Sequence, residues 1–171
     1  MRGVLLAIVA TALLAAVAPA GQAAGTKGLT IYAVATRAQF TNHADDRVRG
    51  SGSNPFNVDV KHLPTPKTTG KGPQAGDEAL FTFKLYSDAA FKHQIGTAVY
   101  DCTVNFGHMA LCKADFELHN GALFASGPTN FDSTTFTLAV SGGTGSYLGT
   151  RGQVSSTPNR DNAHRLTFLL R

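Results

Sequence analysis

Apolar and polar side chains alternate with a period of two residues through most of the chain after residue 28, which predicts β-strands. Between Glu78 and Ser87, for example, one face carries Phe81, Phe83 and Leu85. No segment beyond the N-terminal apolar run sustains the 3.6-residue period of an amphipathic helix. Eight segments have strand-like composition: Leu29–Arg37, Glu78–Ser87, His93–Asn105, Met109–His119, Ala122–Gly127, Thr134–Ser141, Tyr147–Ser156 and Ala163–Arg171.

The predicted fold is all-β, an eight-stranded antiparallel up-and-down barrel of the calycin type. Most connections are short, and a barrel of this size holds either packed side chains or one small ligand. A β-sandwich is the alternative. One connection is long: residues 40–76 contain four prolines and five glycines. Loops of that length are usually functional or disordered, so we expect either a lid over the barrel mouth or a flexible tether.

Five glycines lie close together, at positions 142, 143, 145, 149 and 152. A dinucleotide-binding loop counted from Gly143 would need its third glycine at position 148, where Leu148 stands. The later glycines also disfavour the helix that follows such a loop, since each costs about 1 kcal/mol in a helix interior. The stretch therefore predicts a β-hairpin whose turn uses positive φ angles.

A second hairpin determines the pairing of the two cysteines. A turn centred on Gly107 places Cys102 opposite Cys112 and Asp101 opposite Lys113, an opposite-charge pair that favours this register. A disulfide is allowed in an exported chain and would contribute about 2–3 kcal/mol for so short a loop. The alternative is a free, functional thiol at Cys102.

The same register predicts which residues face the barrel interior. Asp101, Asp115 and Glu117 fall on the outer face. With the apolar face of the preceding strand, the inner face supplies the candidate ligand-binding lining: Phe81, Phe83, Tyr100 and Phe116. Small inward residues are expected to leave room for a guest: Ala98, Ala110 and Ala114. Tyr100 is the candidate catalytic residue; alternatively it is a core tyrosine whose hydroxyl is satisfied by backbone.

The N-terminus predicts export. Arg2 precedes an apolar run from Val4 to Val17, and small residues follow it, as in a secretory signal peptide over residues 1–24. A membrane anchor is the alternative, but the run is shorter than the roughly 20 residues of a spanning helix. The mature domain is then residues 25–171, secreted or periplasmic and without a membrane span.

The net charge and the histidine spacing indicate which classes of partner and cofactor to expect. Loss of residues 1–24 removes only Arg2 and lowers the formal charge from +4 to +3. Without a basic stripe and interleaved aromatics, nucleic acid is not expected as a partner. His43, Asp45 and Asp46 could ligate a metal, although solvated loop residues are the favoured interpretation. The other histidines considered lack zinc-site spacing (His93, His108, His119 and His164), and we predict neither a metal nor a cofactor.

Several short motifs lie along the predicted strands: Gly76-Asp77, Phe81-Thr82, Lys84-Leu85-Tyr86, Ile95-Gly96, Gly127-Pro128, Leu138-Ala-Val-Ser-Gly-Gly-Thr-Gly, Thr150-Arg151-Gly152 and Gly152-Gln-Val. Together they resemble the barrel of plant allene oxide cyclases, and the Gly-Gly-Thr-Gly hairpin also resembles that of dirigent proteins. The resemblance covers about Leu29 to Arg171 outside the long connection. It implies an eight-stranded barrel, a homotrimer and an apolar substrate cavity. The cyclases cyclise an unsaturated fatty-acid epoxide, and dirigent proteins steer coupling or cyclisation of phenolic intermediates.

The cyclase site residues are mostly replaced. The matching first strand, Ile31–Thr36, lacks the family's inward Glu and Asn, and Phe83 stands where the family has a cavity Asn. Cys102 matches the cavity cysteine, but the register pairs it with Cys112. Three functions remain open. The first is a dirigent-like protein that binds a small apolar or phenolic molecule and steers its reaction; the second is an isomerase or cyclase using Tyr100; the third is a structural or interaction module.

Overall fold

The computed structural model describes residues 26–41, 73–160 and 162–171. Eight antiparallel strands close into a barrel in which each pairs with its chain neighbours and β8 returns to β1. The strands are β1 Lys27–Thr41, β2 Glu78–Tyr86, β3 Gln94–Val104, β4 Met109–Leu118, β5 Gly121–Asn130, β6 Phe136–Gly143, β7 Gly152–Arg160 and β8 Ala163–Leu170. The up-and-down barrel is therefore confirmed, and the β-sandwich alternative is wrong.

Strand boundaries differ from the prediction by up to five residues; β1, for example, continues past Arg37 to Thr41. Two of these differences have identifiable reasons. β7 begins at Gly152 rather than Tyr147, because residues Gly145–Tyr147 form a single 3₁₀ turn. β5 continues past Gly127 to Asn130, although Pro128 lacks a backbone N–H. The β5–β6 ladder involves only residues 123–126 of β5, so Pro128 is paired with β4 alone. No ladder hydrogen bond to β6 therefore requires a backbone N–H at this position.

Several predictions fall on other parts of the chain. The signal peptide, the central part of the long connection and the His43–Asp46 group lie outside the described residues. The two ends of that connection belong to the described part: β1 ends at Thr41 and β2 begins at Glu78.

The β3–β4 hairpin has the predicted register. Cys102 is paired with Cys112 and joined to it by a disulfide, and Asp101 is paired with Lys113. The turn contains Gly107 with φ +67°, a conformation that glycine adopts without strain. The free-thiol alternative is wrong. Because the bonded residues lie directly opposite each other, the disulfide also determines which faces of both strands point inward.

Most of the large buried side chains lie in the half of the barrel near the β4–β5 and β6–β7 connections, and Leu166 lies between this half and the other. The largest buried apolar residues are Ile31, Leu85, Phe116, Leu123, Leu138, Val154, Leu166 and Phe168. As predicted, Asp115 and Glu117 lie on the exposed outer face. Burial of this apolar set is the main favourable term for the fold, at roughly 25 cal/mol per Å² of apolar surface removed from water.

The glycine-rich stretch forms the β6–β7 connection, as the hairpin interpretation predicted. Gly152 has φ +151°, and a Cβ there would run into the backbone carbonyl of Leu169 on β8. Gly145, with φ +57°, lies against the backbone of Asn120 in the β4–β5 turn. These close backbone approaches seal the packed end of the barrel.

Replacement of Gly152 tests this arrangement. We expect Gly152→Ala to lower the free energy of unfolding by about 2 kcal/mol or more, because the new methyl group meets a backbone carbonyl and the φ angle is unfavourable. Gly142→Ala is the matched control, since its Cβ would have nothing within 4 Å. Urea unfolding measures both variants, and equal effects would contradict the proposed close packing.

Candidate functional site

The other half of the barrel contains a cavity of about 380 Å³. It opens at the end where the odd-numbered strands finish and the even-numbered strands begin, which is where the long β1–β2 connection attaches. The volume falls within the range of small-molecule sites. The residues that line it are Ala33, Ala35, Phe81, Phe83, Tyr100, Cys102, Cys112, Thr129, Asn130, Phe131, Ser133, Thr134, Phe136, Ser156, Asn162, His164 and Leu166.

Aromatic rings form one wall of the cavity. Tyr100 packs edge-on against Phe83, with ring centroids 5.2 Å apart, and against Phe136 at 5.9 Å. Phe81 is a further lining residue, so three of the four predicted lining positions lie on the wall. Phe116 faces inward as predicted but lies below the cavity, with its ring 5.7 Å from Tyr100 and 5.1 Å from Phe168. It therefore separates the cavity from the packed half.

The small residues that line the cavity are not the ones predicted from the sequence. Ala98, Ala110 and Ala114 are buried and do not line the cavity. Instead, Ala33 and Ala35 of β1 supply the small side chains on the wall. The alternation of β3 and β4 correctly placed these three residues inside. Along the barrel axis, Ala98 is paired with Phe116 and Ala114 with Tyr100, whereas Ala110 lies beyond Cys112, paired with Val104 and Thr129.

The Tyr100 hydroxyl provides a hydrogen-bond donor in an apolar environment. Burial raises the pKa of its hydroxyl, so the phenol stays protonated at neutral pH. No hydrogen bond of this hydroxyl is found within residues 26–41, 73–160 and 162–171, so the backbone partner considered from sequence is not found there. Since no fully buried side-chain polar atom of the described residues lacks a partner, the hydroxyl oxygen is accessible from the cavity.

A serine and a histidine meet on the opposite part of the lining. Ser156 on β7 and His164 on β8 are joined by a hydrogen bond of 3.0 Å between the serine Oγ and the imidazole Nδ1. Ser156 is only 1% exposed. Burial lowers the pKa of His164, so the ring is neutral at pH 7.

Sequence reasoning missed this pair because it considered His164 only as a scattered histidine. A signal was present: the period of two in β8 places His164 on the same face as Leu166 and Phe168, which are buried. Ser156 likewise follows Val154 on the inner face of β7. The pattern did not predict that Ser156 and His164 lie close enough across adjacent strands to form a hydrogen bond.

The disulfide is part of the wall and engages a further polar group. Thr129 Oγ1 lies 3.1 Å from Cys112 Sγ. A disulfide sulfur carries no hydrogen, so the threonine hydroxyl is the donor. The hydrogen of this hydroxyl is therefore not directed to the cavity.

The β5–β6 loop forms the rim on one side. His108 Nδ1 lies 3.0 Å from the Asp132 carboxylate, and the His108 carbonyl accepts a hydrogen bond of 3.0 Å from the backbone N–H of Phe131. These contacts tie the loop to the β3–β4 turn. The positions of Ser133 and Thr134 at the mouth are therefore defined by a folded loop.

The described lining contains no carboxylate, and Asp101 and Asp115 point away from the lumen, as the register predicted. Within the described chain, no three His, Cys, Asp or Glu side chains form a group able to hold a metal ion. What the cavity offers chemically is an apolar surface with a phenol and a neutral imidazole, and with exposed amide and hydroxyl groups at its rim: Asn130, Ser133, Thr134 and Asn162.

Comparisons with known proteins give structural similarity without sequence similarity. No family model matches the chain, and no curated protein matches it. Among solved structures, a pyocyanin demethylase superposes with a TM-score of 0.61 at 19% identity, covering 85% of this chain and 100% of that chain. The exo-specific intermolecular Diels-Alderase AbnU gives 0.57 at 16% identity, covering 86% and 98%. The pterocarpan synthase dirigent protein GePTS1 gives 0.53 at 14% identity, covering 92% and 96%.

These similarities establish a shared barrel fold. The dirigent protein agrees, at the level of fold, with the resemblance drawn from the sequence motifs. Diels-Alderase barrels belong to the same structural class.

The environment of His164 predicts how stability depends on pH. Its folded-state pKa lies below the ordinary value of 6.5, so the unfolded chain takes up a proton more readily. The free energy of unfolding therefore decreases as the pH falls through about 6.5. Above that range His164 does not contribute to the pH dependence of stability. We expect His164→Gln to lose less stability than the wild type between pH 8 and pH 5, measured by urea unfolding.

His119→Gln is the control for this experiment, because it removes an exposed imidazole on the β4–β5 side of the barrel. An unchanged pH dependence in His164→Gln would show that the ring is not buried in the way described.

Proposed function

We propose that this protein binds one small apolar or phenolic molecule in the barrel cavity and steers its cyclisation or coupling. The observation that carries the proposal is the contrast between the two halves of the barrel. One half is filled by large side chains, whereas the other retains about 380 Å³ behind an aromatic wall and open at one end. A cavity of this kind is the usual form of a small-molecule site.

Steering requires no covalent chemistry from the protein. A rigid apolar pocket that holds a flexible molecule near its reactive geometry lowers the entropic part of the barrier. The walls here belong to paired strands and are tied by the Cys102–Cys112 disulfide, so they are suited to that task. The names of the structural neighbours, a demethylase, a Diels-Alderase and a dirigent protein, support a barrel that handles small organic molecules.

An isomerase or cyclase similar to allene oxide cyclase is the second candidate. The favouring observation is the protonated Tyr100 hydroxyl among the lining residues, which can donate a hydrogen bond to developing negative charge. Turnover of a retained ligand, lost in Tyr100→Phe, would distinguish this enzyme from a steering protein. The cavity weighs against the third candidate, a structural module with a filled interior.

Occlusion of the cavity tests the binding proposal. Ala35 lines the cavity, so Ala35→Phe fills space that a ligand would occupy. We expect the affinity for the apolar fluorescent probe N-phenyl-1-naphthylamine to fall about tenfold or more, measured by fluorescence titration. Ala139→Phe is the matched control, because Ala139 lies exposed on the outer face of β6. Equal affinities in the two variants would place the probe outside the barrel.

We also propose that the mature chain is exported and assembles as a homotrimer. The disulfide fits an oxidising compartment. No helix of the described residues is long and apolar enough to cross a membrane. Trimer formation is implied by the resemblance to the cyclase and dirigent barrels, and exposed apolar side chains on β3, β4 and β5 offer a surface for it: Val99, Leu111 and Phe124.

Native mass spectrometry of the exported protein tests both parts together. We expect three copies of a chain that begins at residue 25 and retains its disulfide. Retention of residues 1–24 would contradict cleavage, and a monomer at micromolar concentration would contradict the trimer. Leu111→Lys is expected to dissociate the trimer, because it places a charge on an apolar outer surface.

A further inference from the structure

We infer that the cavity recognises a carbonyl oxygen on its ligand, which accepts a hydrogen bond from the Nε2–H of His164. The inference rests on the proposed binding function and narrows the ligand to neutral carbonyl compounds on an apolar skeleton, such as aromatic ketones, enones and quinones. It depends on which ring nitrogen carries the hydrogen, on where that nitrogen points, and on what the rest of the lining offers.

The tautomer follows from the needs of Ser156. This serine is almost fully buried, and its hydroxyl makes one hydrogen bond within the described part of the chain, to Nδ1 of His164. A buried hydroxyl hydrogen without an acceptor costs more than an unused lone pair, so Ser156 donates and Nδ1 accepts. In a neutral imidazole the single hydrogen then resides on Nε2.

His164 is positioned to present that hydrogen to a guest. It lies one inward position from Leu166 on β8, and both residues line the cavity. Across the β1–β8 ladder its partner is Ala33, whose small side chain leaves space beside the imidazole. Nε2 has no hydrogen-bonding partner among residues 26–41, 73–160 and 162–171.

The other polar groups of the described lining do not compete for this role. Thr129 donates to Cys112 Sγ, and Ser133 donates to the Thr135 carbonyl over 2.8 Å. Asn130, Thr134 and Asn162 are exposed at the rim, where water competes with a ligand, and Asn130 Oδ1 accepts from the Asp132 N–H. The interior therefore offers two donors, Tyr100 and His164, and no anionic acceptor among the described lining residues. A ligand oxygen that accepts hydrogen bonds complements this arrangement.

This contact would also influence reactivity. A hydrogen bond to a carbonyl withdraws electron density from the conjugated system and stabilises negative charge that builds on the oxygen during addition or cycloaddition. The hydrogen stays on Nε2 throughout, and no bond to the protein forms. The same group thus orients the ligand and favours its cyclisation.

Two probes of nearly equal shape test the inference: 2-acetylnaphthalene, which has a carbonyl, and 2-isopropenylnaphthalene, in which a CH₂ group replaces the oxygen. We expect the wild-type protein to bind the ketone about tenfold more tightly than the alkene, measured by competition against N-phenyl-1-naphthylamine. In His164→Phe the preference should fall below about twofold, because the ring is kept and the donor is lost.

Three further variants sharpen the result. His164→Gln retains an N–H donor and should restore part of the preference. His119→Phe makes the same substitution at an exposed position and should keep the wild-type preference. Tyr100→Phe identifies the donor: if it abolishes the preference while His164→Phe keeps it, the assignment to His164 is overturned. Circular dichroism and thermal unfolding confirm that each variant is folded.

Two spectroscopic measurements need no substitution. Infrared spectra of bound ketone labelled with ¹³C at the carbonyl should show the band at lower frequency than in hexane, and ¹⁵N NMR should show the hydrogen of His164 on Nε2. A hydrogen on Nδ1 would overturn the inference. If neither probe binds, the proposed function itself fails; if both bind equally well, binding stands and the carbonyl contact is wrong.

Discussion

The antiparallel register of β3 and β4 is the constraint on which the rest of the structure depends. A shift by one residue would place Tyr100 and Asp115 on one face and Asp101 and Ala114 on the other, so that either Asp101 or Asp115 would enter the barrel. Cys102 and Cys112 are directly opposite in the observed register, and their disulfide excludes that shift. Each neighbouring strand then inherits its inward face from this hairpin through the continuous ladder around the barrel.

With the faces assigned, side-chain size determines what the interior contains. Phe116 and Phe168 pack edge-to-face across one half and leave no room there. Toward the mouth, β1 contributes only the small side chains of Ala33 and Ala35 to the interior, and a cavity remains there. The packed core and the cavity thus occupy different levels of one barrel, and the packed level supports the cavity above it.

The apolar surroundings of the cavity strengthen the hydrogen bonds that its polar groups form. Hydrogen bonds are electrostatically stronger where water is excluded, and unpaired polar groups are correspondingly costly. The Thr129 hydroxyl donates to the disulfide sulfur of Cys112. The Ser156 hydroxyl is hydrogen-bonded to Nδ1 of His164 and thereby orients that ring. Under the proposed function, Tyr100 and His164 are the donors that the apolar part of the lining offers to a ligand.

The sequence by itself determined the strands, the β3–β4 register with its disulfide, and the inward direction of Phe81, Phe83, Tyr100 and Phe116, because each depends on a local period of two or on a turn residue. Only the tertiary structure decided that Phe116 lies beneath the cavity, that Ala33 rather than Ala98 provides space, and that Ser156 meets His164. These features depend on the height of each residue along the barrel axis. That height is set by the stagger of all eight ladders together when β1 closes on β8, and no single segment encodes it.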